Sequence, residues 1–183
     1  MTRDLVVRAQ AGDRDAYERL ARFAADRLFL VAGRILRDHD MAEDAVQQTL
    51  VAIWRDLPTL RDPDRFDAWT FRVLLRACRA QERRTRRLRA TVADVSSDVP
   101  DPRREIEAVG VRDQLDRAFA GLSREHRAVV VLHHLVGMSL VEVAEVLDVP
   151  YGTVASRLHR AMGALRAEVD RTERTGLPEG RSI

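Results

Sequence analysis

Apolar residues recur at three- and four-residue intervals along most of the chain, and the breaks between these runs carry capping and turn residues, so the pattern predicts a succession of amphipathic helices. Asp4 to Ala11 reads as a short helix. Gly12 and Asp13 then punctuate and cap a longer one reaching about Leu36, with Ala16, Tyr17, Leu20, Phe23, Ala24, Leu28, Val31 and Ile35 on its buried side. Asp40 with Glu43 forms a capping signature before Met41 to Arg55, which buries Ala42, Val46, Thr49, Leu50 and Ile53 and leaves Asp44, Gln47, Gln48 and Val51 opposite. Leu57 to Arg65, with two prolines, two aspartates and two arginines, predicts a firm surface loop. Helix resumes from Phe66 to about Arg87, turning Phe66, Val73, Leu74 and Ala77 inward. From Ala90 to Glu107 the periodicity lapses among Ser96, Ser97, Pro100 and Pro102, the composition of a linker.

Helical pattern returns from Ala108 to Ala120, Gly121 ends it, and Ser123 caps a helix that leads into the strongest stretch of all, Ser139 to Leu165. Ser139 followed by Glu142 is a capping box, and Leu140, Val143, Ala144 and Leu147 carry one short amphipathic helix. Asp148, Val149 and Pro150 break it, because proline disfavours a helical residue before it. On the second helix Val154, Leu158, Ala161, Met162 and Leu165 share a packing side, while Ser156, His159, Arg160 and Gly163 lie opposite, flanked by Thr153 and Arg157. Short donors followed by arginines that fork onto guanine or phosphate are the side chains a major-groove reading helix uses, so the pair reads as a helix-turn-helix. An ordinary helical hairpin with a solvated polar face fits the same periodicity. The absence of any acid from Tyr151 to Ala167 favours DNA. After Ala167 the periodicity is lost, and 168–183 reads as a frayed tail.

Composition agrees with an all-α chain of two small helical domains joined by a flexible linker: aromatics are only 5% of the 183 residues and charged residues 33%, with strand-like β-branched runs scarce. The boundaries fall at 1–89, 90–107 and 108–167, before the tail. Net charge is only +2, but all 31 basic residues are arginine and they are unevenly placed. From Arg72 to Arg89 eight arginines face a single acid, Glu82, whereas from Asp40 to Asp67 seven acids face three arginines. That asymmetry predicts one polyanion-facing surface and one surface for a different partner. Arg72, Arg76, Arg79 and Arg83 form a stripe on the fourth helix with Trp69 at its top, a ladder of guanidiniums under an indole that suits a nucleic-acid strand. A solubilising arginine face and a core tryptophan are the plainer alternative. Cys78 is the single cysteine, which excludes a disulfide framework and a cysteine-rich zinc site. No signal-peptide pattern opens the chain and no apolar run approaches membrane-spanning length, so a soluble, cytoplasmic protein without membrane insertion is expected.

In order and content these segments resemble the small extracytoplasmic-function (ECF) sigma factors of bacterial RNA polymerase: "RAQAGDRDAYERL", "DHDMAEDAVQQTLVAIWRDL", "FDAWTFRVLLRACRAQERR" and "GMSLVEVAEVLDVPYGTVASRLHRAMGALR". The resemblance implies a sigma domain two and a sigma domain four joined by the linker, no enzymatic activity and no cofactor. It implies core RNA polymerase as a partner, through the clamp helices of its largest subunit and the flap of its second-largest, together with promoter DNA and, for many such proteins, an anti-sigma factor. Residue by residue, it places Asp44, Gln47, Gln48 and Val51 on the polymerase-docking face. The loop with Arg61, Asp62 and Arg65 matches the segment that captures a flipped minus-ten base, and Trp69, Arg72, Arg76, Arg79 and Arg83 the helix along that element. Thr153, Ser156, Arg157, His159 and Arg160 match the helix that reads the minus-thirty-five element. Arg76 stands where relatives often carry asparagine, and "QQTL" where an acid and an aromatic are usual. A conventional helix-turn-helix repressor explains the last domain alone. The dipeptides His39-Asp40 and His133-His134 are the thin sequence basis for a metal-dependent phosphohydrolase. Fully extended, the 18-residue linker spans on the order of 60 Å, or about 17 base pairs, enough for the two domains to occupy separate DNA elements.

Overall fold

The computed structural model describes residues 2–93 and 117–176, and every regular element among them is helical. α1 (Thr2–Gln10) leads through Gly12, at φ 91°, into α2 (Arg14–Leu36). Asp13 caps α2 as its sequence position predicts, its carboxylate accepting from the Ala16 N–H at 3.0 Å while Arg8 holds the same carboxylate from α1 at 2.6 Å. These two bonds hold the Asp13 carboxyl below its ordinary range. α3 (His39–Asp56) is capped by Asp38, which accepts from the Met41 N–H at 2.9 Å. The predicted cap, Asp40, is instead in the first turn. The helix starts two residues early because Arg37 adopts the left-handed conformation, φ 56°, and turns the chain so that Asp38 is the extended residue.

Inside the first domain Leu20, Leu28, Ile35, Ile53 and Leu74 are fully buried where α2, α3 and α4 (Phe66–Ala93) meet. Four inward assignments change: Phe23 is 46% exposed, with the Arg27 guanidinium 5.9 Å from its ring centroid, and Tyr17, Leu50 and Val73 are only half-buried. The loop before α4 folds into two 3₁₀ turns, Leu57–Thr59 and Pro63–Arg65, and Gln10 of α1 pins it by donating to the carbonyls of Leu57 and Leu60 at 3.0 and 2.7 Å. α4 continues to Ala93, past the predicted end near Arg87. The remainder of the predicted linker, and the helix predicted over Ala108 to Ala120 except for its last residues, lie outside the described residues.

The second domain comprises a helical end at 117–121, α5 (Arg124–Val130), α6 (Leu140–Leu147) and α7 (Tyr151–Gly176). Ser123 caps α5, which passes into a π-helical turn at Val131–Leu135, and Gly137 at φ 86° turns the chain toward α6. The predicted capping box is present: the Glu142 N–H donates to Ser139 Oγ at 3.2 Å and the Ser139 N–H to Glu142 Oε2 at 2.8 Å, which holds the Glu142 carboxyl below its ordinary range. Substituting Ser139 by alanine is expected to cost about 1 kcal/mol, read as a lowered midpoint in chemical unfolding. α6 ends at Asp148, left-handed at φ 57°, whose N–H donates to the Ala144 carbonyl. α7 begins at Tyr151, with the Thr153 N–H on the Pro150 carbonyl at 2.9 Å. It runs to Gly176, so 168–176 is helical where a frayed tail was predicted, while 177–183 lies outside the described residues.

Most buried residues of the two domains form one continuous apolar core, with Ile35, Leu75 and Cys78 of the first facing Ala128 and Leu147 of the second, while Ala118, Leu122, Val130, Ala161 and Leu165 form a second, smaller cluster. Cys78 is 1% exposed and burial pushes its thiol up to about 12. Its reaction with an alkylating reagent at neutral pH should therefore be much slower in the native protein than after denaturation.

Candidate nucleic-acid interface

On α7 the predicted division of faces is present. Val154 and Ala161 are fully buried, Leu165 is buried beside Leu122 and Val130, and Leu158 and Met162 pack at the margin. Ser156, His159, Arg160 and Gly163 are exposed on the other side, with Thr153 and Arg157 half-buried on the flanks. Ser156 Oγ donates to the Thr153 carbonyl at 3.0 Å, which leaves its lone pairs directed outward. The exposed face of α7 with its flanks thus combines two hydroxyls, an imidazole and two guanidiniums on one helix, a donor-rich set suited to base edges and phosphates in a groove wide enough for a helix.

The α4 stripe is divided. Arg76 and Arg83 are exposed, but Arg72 and Arg79 are half-buried because the second domain lies against them. Arg72 Nη2 donates to the Glu145 carbonyl at 3.1 Å, Arg79 Nη2 approaches the Leu147 carbonyl at 3.4 Å, and Arg65 pairs with the Glu145 carboxylate. Trp69 is half-buried, its ring 6.2 Å from that of Phe66, so it is neither a core residue nor a freely projecting one. Arg61, Asp62 and Arg65 sit together on the exposed loop, where Asp62 accepts from the Asp64 N–H at 3.0 Å and so holds the turn.

On α3, Asp44, Gln47, Gln48 and Val51 are all exposed, Val51 at 65%. The sequence reading missed Trp54, which is 57% exposed on the same face. Its signal was available: 44, 47, 51 and 54 follow spacings of three, four and three, which align residues along one side of a helix. The indole is fixed by an edge-on contact with Tyr17, centroids 4.5 Å apart, and the Tyr17 hydroxyl donates to the Leu50 carbonyl at 3.1 Å. Two exposed apolar side chains beside an acid and two amides form a docking patch of different character from either arginine surface.

The histidines behind the hydrolase reading are used elsewhere. His39 packs edge-on against Phe29, and His133 Nδ1 is 2.7 Å from the Met138 carbonyl. Among the described residues no three potential ligands converge on a metal position.

Comparison with known proteins accounts for both halves of this arrangement. The family description "Sigma-70 region 2" matches residues 17–88 and "Sigma-70, region 4" residues 112–165. The chain is 38% identical over 143 residues to the ECF RNA polymerase sigma factor SigL of Mycobacterium tuberculosis, covering 76% of this chain and 80% of that one. It is 31% identical over 156 residues to the ECF RNA polymerase sigma factor SigE of Mycolicibacterium smegmatis, covering 82% of this chain but spanning only 60% of that relative's length. Among solved structures, CnrH in complex with the cytosolic domain of CnrY superimposes with a TM-score of 0.67 at 31% identity, over 93% of this chain and 97% of that one. With a region-2 helical unit, a region-4 helix-turn-helix and relatives of this closeness, the chain belongs to the ECF RNA polymerase sigma factors.

Proposed function

We propose that this chain, as an alternative sigma factor, docks on core RNA polymerase through Asp44, Gln47, Gln48, Val51 and Trp54, and directs initiation by reading two promoter elements with two different kinds of contact. The clamp helices of the largest subunit receive the α3 face and the flap of the second-largest receives the second domain. Thr153, Ser156, Arg157, His159 and Arg160 read the minus-thirty-five element as duplex, each good bidentate contact giving about 1–3 kcal/mol of discrimination. Trp69, Arg72, Arg76, Arg79 and Arg83 line the backbone of the minus-ten element, while the loop of Arg61, Asp62 and Arg65 holds an extruded base whose unstacking costs a few kcal/mol. Opening is thereby coupled to recognition, and the protein itself makes and breaks no covalent bond.

The observation that carries this reading is the donor-rich exposed face of α7, free of acids from Tyr151 to Ala167, in the same chain as an acidic and apolar α3 face. A repressor needs only the first. Neither domain requires high DNA affinity alone, because polymerase and linker raise the effective concentration of each at its element. Site of action follows the polymerase, in the cytoplasm. Control by an anti-sigma factor is part of the proposal; the similar protein CnrH is itself seen in complex with a second protein, the cytosolic domain of CnrY. Sequencing of transcription start sites after induction of this protein is expected to yield a paired motif at fixed spacing upstream of new starts. Loss of transcripts without any new start would favour the repressor reading.

A further inference from the structure

Beside the shared apolar core, the contact between the two domains uses groups that the proposed function assigns to DNA. Arg65, Arg72 and Arg79 lie seven residues apart, and each is directed at the C-terminal end of α6: Arg65 at the Glu145 carboxylate, Arg72 at the Glu145 carbonyl, Arg79 at the Leu147 carbonyl. The last carbonyls of a helix have no partners within it and carry its negative dipole end. A carboxylate beside two such oxygens offers guanidiniums a row of acceptors of the kind a phosphate backbone offers. These polar contacts come in addition to the apolar packing of the seam. Arg72 Nε is buried in the contact without an acceptor, so the surrogate satisfies these arginines incompletely.

The contact is held at its other end by groups outside the stripe. Arg124 of α5 pairs with Glu82 of α4, both largely shielded from solvent, and Arg127 Nε donates to the Ile35 carbonyl at 2.9 Å. Arg76 and Arg83 remain exposed. We infer that the C-terminal end of α6 is an internal phosphate mimic, which occupies Arg65, Arg72 and Arg79 in the free protein and has to be displaced before α4 can lie along a DNA strand. The mimic closes the protein on itself: strand binding and domain contact compete for three of the same guanidiniums. This inference rests on the reading of α4 as the DNA-facing helix.

The test uses the full chain and two variants of opposite charge effect. Glu145→Arg removes the mimic's carboxylate and adds a positive charge. Arg124→Glu breaks the pair with Glu82 and adds negative charge, so simple electrostatics predicts weaker DNA binding for it. Each is measured by small-angle scattering, for the separation of the domains, and by anisotropy of a fluorescein-labelled single strand of mixed sequence, about 16 nucleotides long. A wild type open about one-tenth of the time binds about tenfold more weakly than its intrinsic affinity. Both variants are therefore expected to be more extended than wild type and to bind the strand up to about tenfold more tightly, and added strand is expected to extend the wild type. Circular dichroism confirms that each is folded, and the second variant carries the test if the first is not. A wild type already as extended as the variants overturns closure. Variants that extend without gaining affinity overturn the mimic while leaving the proposed function intact. If no form of the protein binds the strand at low salt, the α4 reading itself fails, and the mimic with it.

Discussion

Replacing both Asp44 and Val51 by arginine is expected to lower affinity for core polymerase by at least about a hundredfold and to abolish directed transcription. The two side chains are exposed neighbours on the outer face of α3, seven residues apart and so two turns along one stripe. Neither contributes to the core, and surface substitutions of this kind change stability by only about 0.5 kcal/mol. The effect is confined to docking. Interface residues that anchor binding cost about 2 kcal/mol or more when lost, and two guanidiniums in place of an acid and an apolar side chain reverse the charge of the patch. Trp54→Ala should weaken docking by a comparable factor on its own, since the indole held against Tyr17 is a preorganised anchor. A titration of labelled protein with core polymerase measures both, and unchanged far-ultraviolet dichroism excludes unfolding.

Arg160→Ala is expected to reduce transcription from a cognate promoter about tenfold or more. Arg160 is exposed on α7, one turn beyond Ser156, with no acid on its own helix until Glu168. A guanidinium that forks onto a guanine contributes about 1–3 kcal/mol of discrimination. Arg160→Lys separates the two uses of the side chain: an ammonium retains attraction to phosphate but loses the planar fork. That variant should keep most non-specific affinity for DNA and lose selectivity for the cognate minus-thirty-five sequence. Competition between cognate and scrambled duplexes, at fixed salt, reads the difference.

How far the sequence reached depended on the range of the interaction involved. The caps at Asp13, Ser123 and Ser139 were legible because a cap is made within four residues of itself. Asp38 and Asp40 look equivalent as caps until the left-handed turn at Arg37 selects the first. Helix ends were missed in the opposite direction: α4 and α7 overrun their apolar periodicity because arginine, glutamate and alanine favour helix without needing a buried face. In α7 the Glu168–Arg171 pair adds support across one turn. Phe23 was assigned inward from its spacing, yet the buried arc of α2 is filled by Leu20, Ala24, Leu28 and Ala32, which leaves its ring to Arg27. The division of α7 into an inner and an outer face was legible, because its apolar and polar residues alternate at helical spacing, while the half-burial of Thr153 and Arg157 on the flanks was not. Glu145 was not, since its partners Arg65 and Arg72 are 80 and 73 residues away and only the tertiary fold brings them together.

The central claim is that this chain confers promoter-directed initiation, and multi-round transcription with purified core polymerase tests it most directly. On a template carrying one of the start sites mapped after induction, core polymerase alone should give no run-off product of defined length. Addition of this protein is predicted to produce one, in proportion to the holoenzyme formed, and the Asp44→Arg, Val51→Arg double variant should produce none. A protein that binds the same template but never yields that product, or only silences initiation by another holoenzyme, would contradict the account.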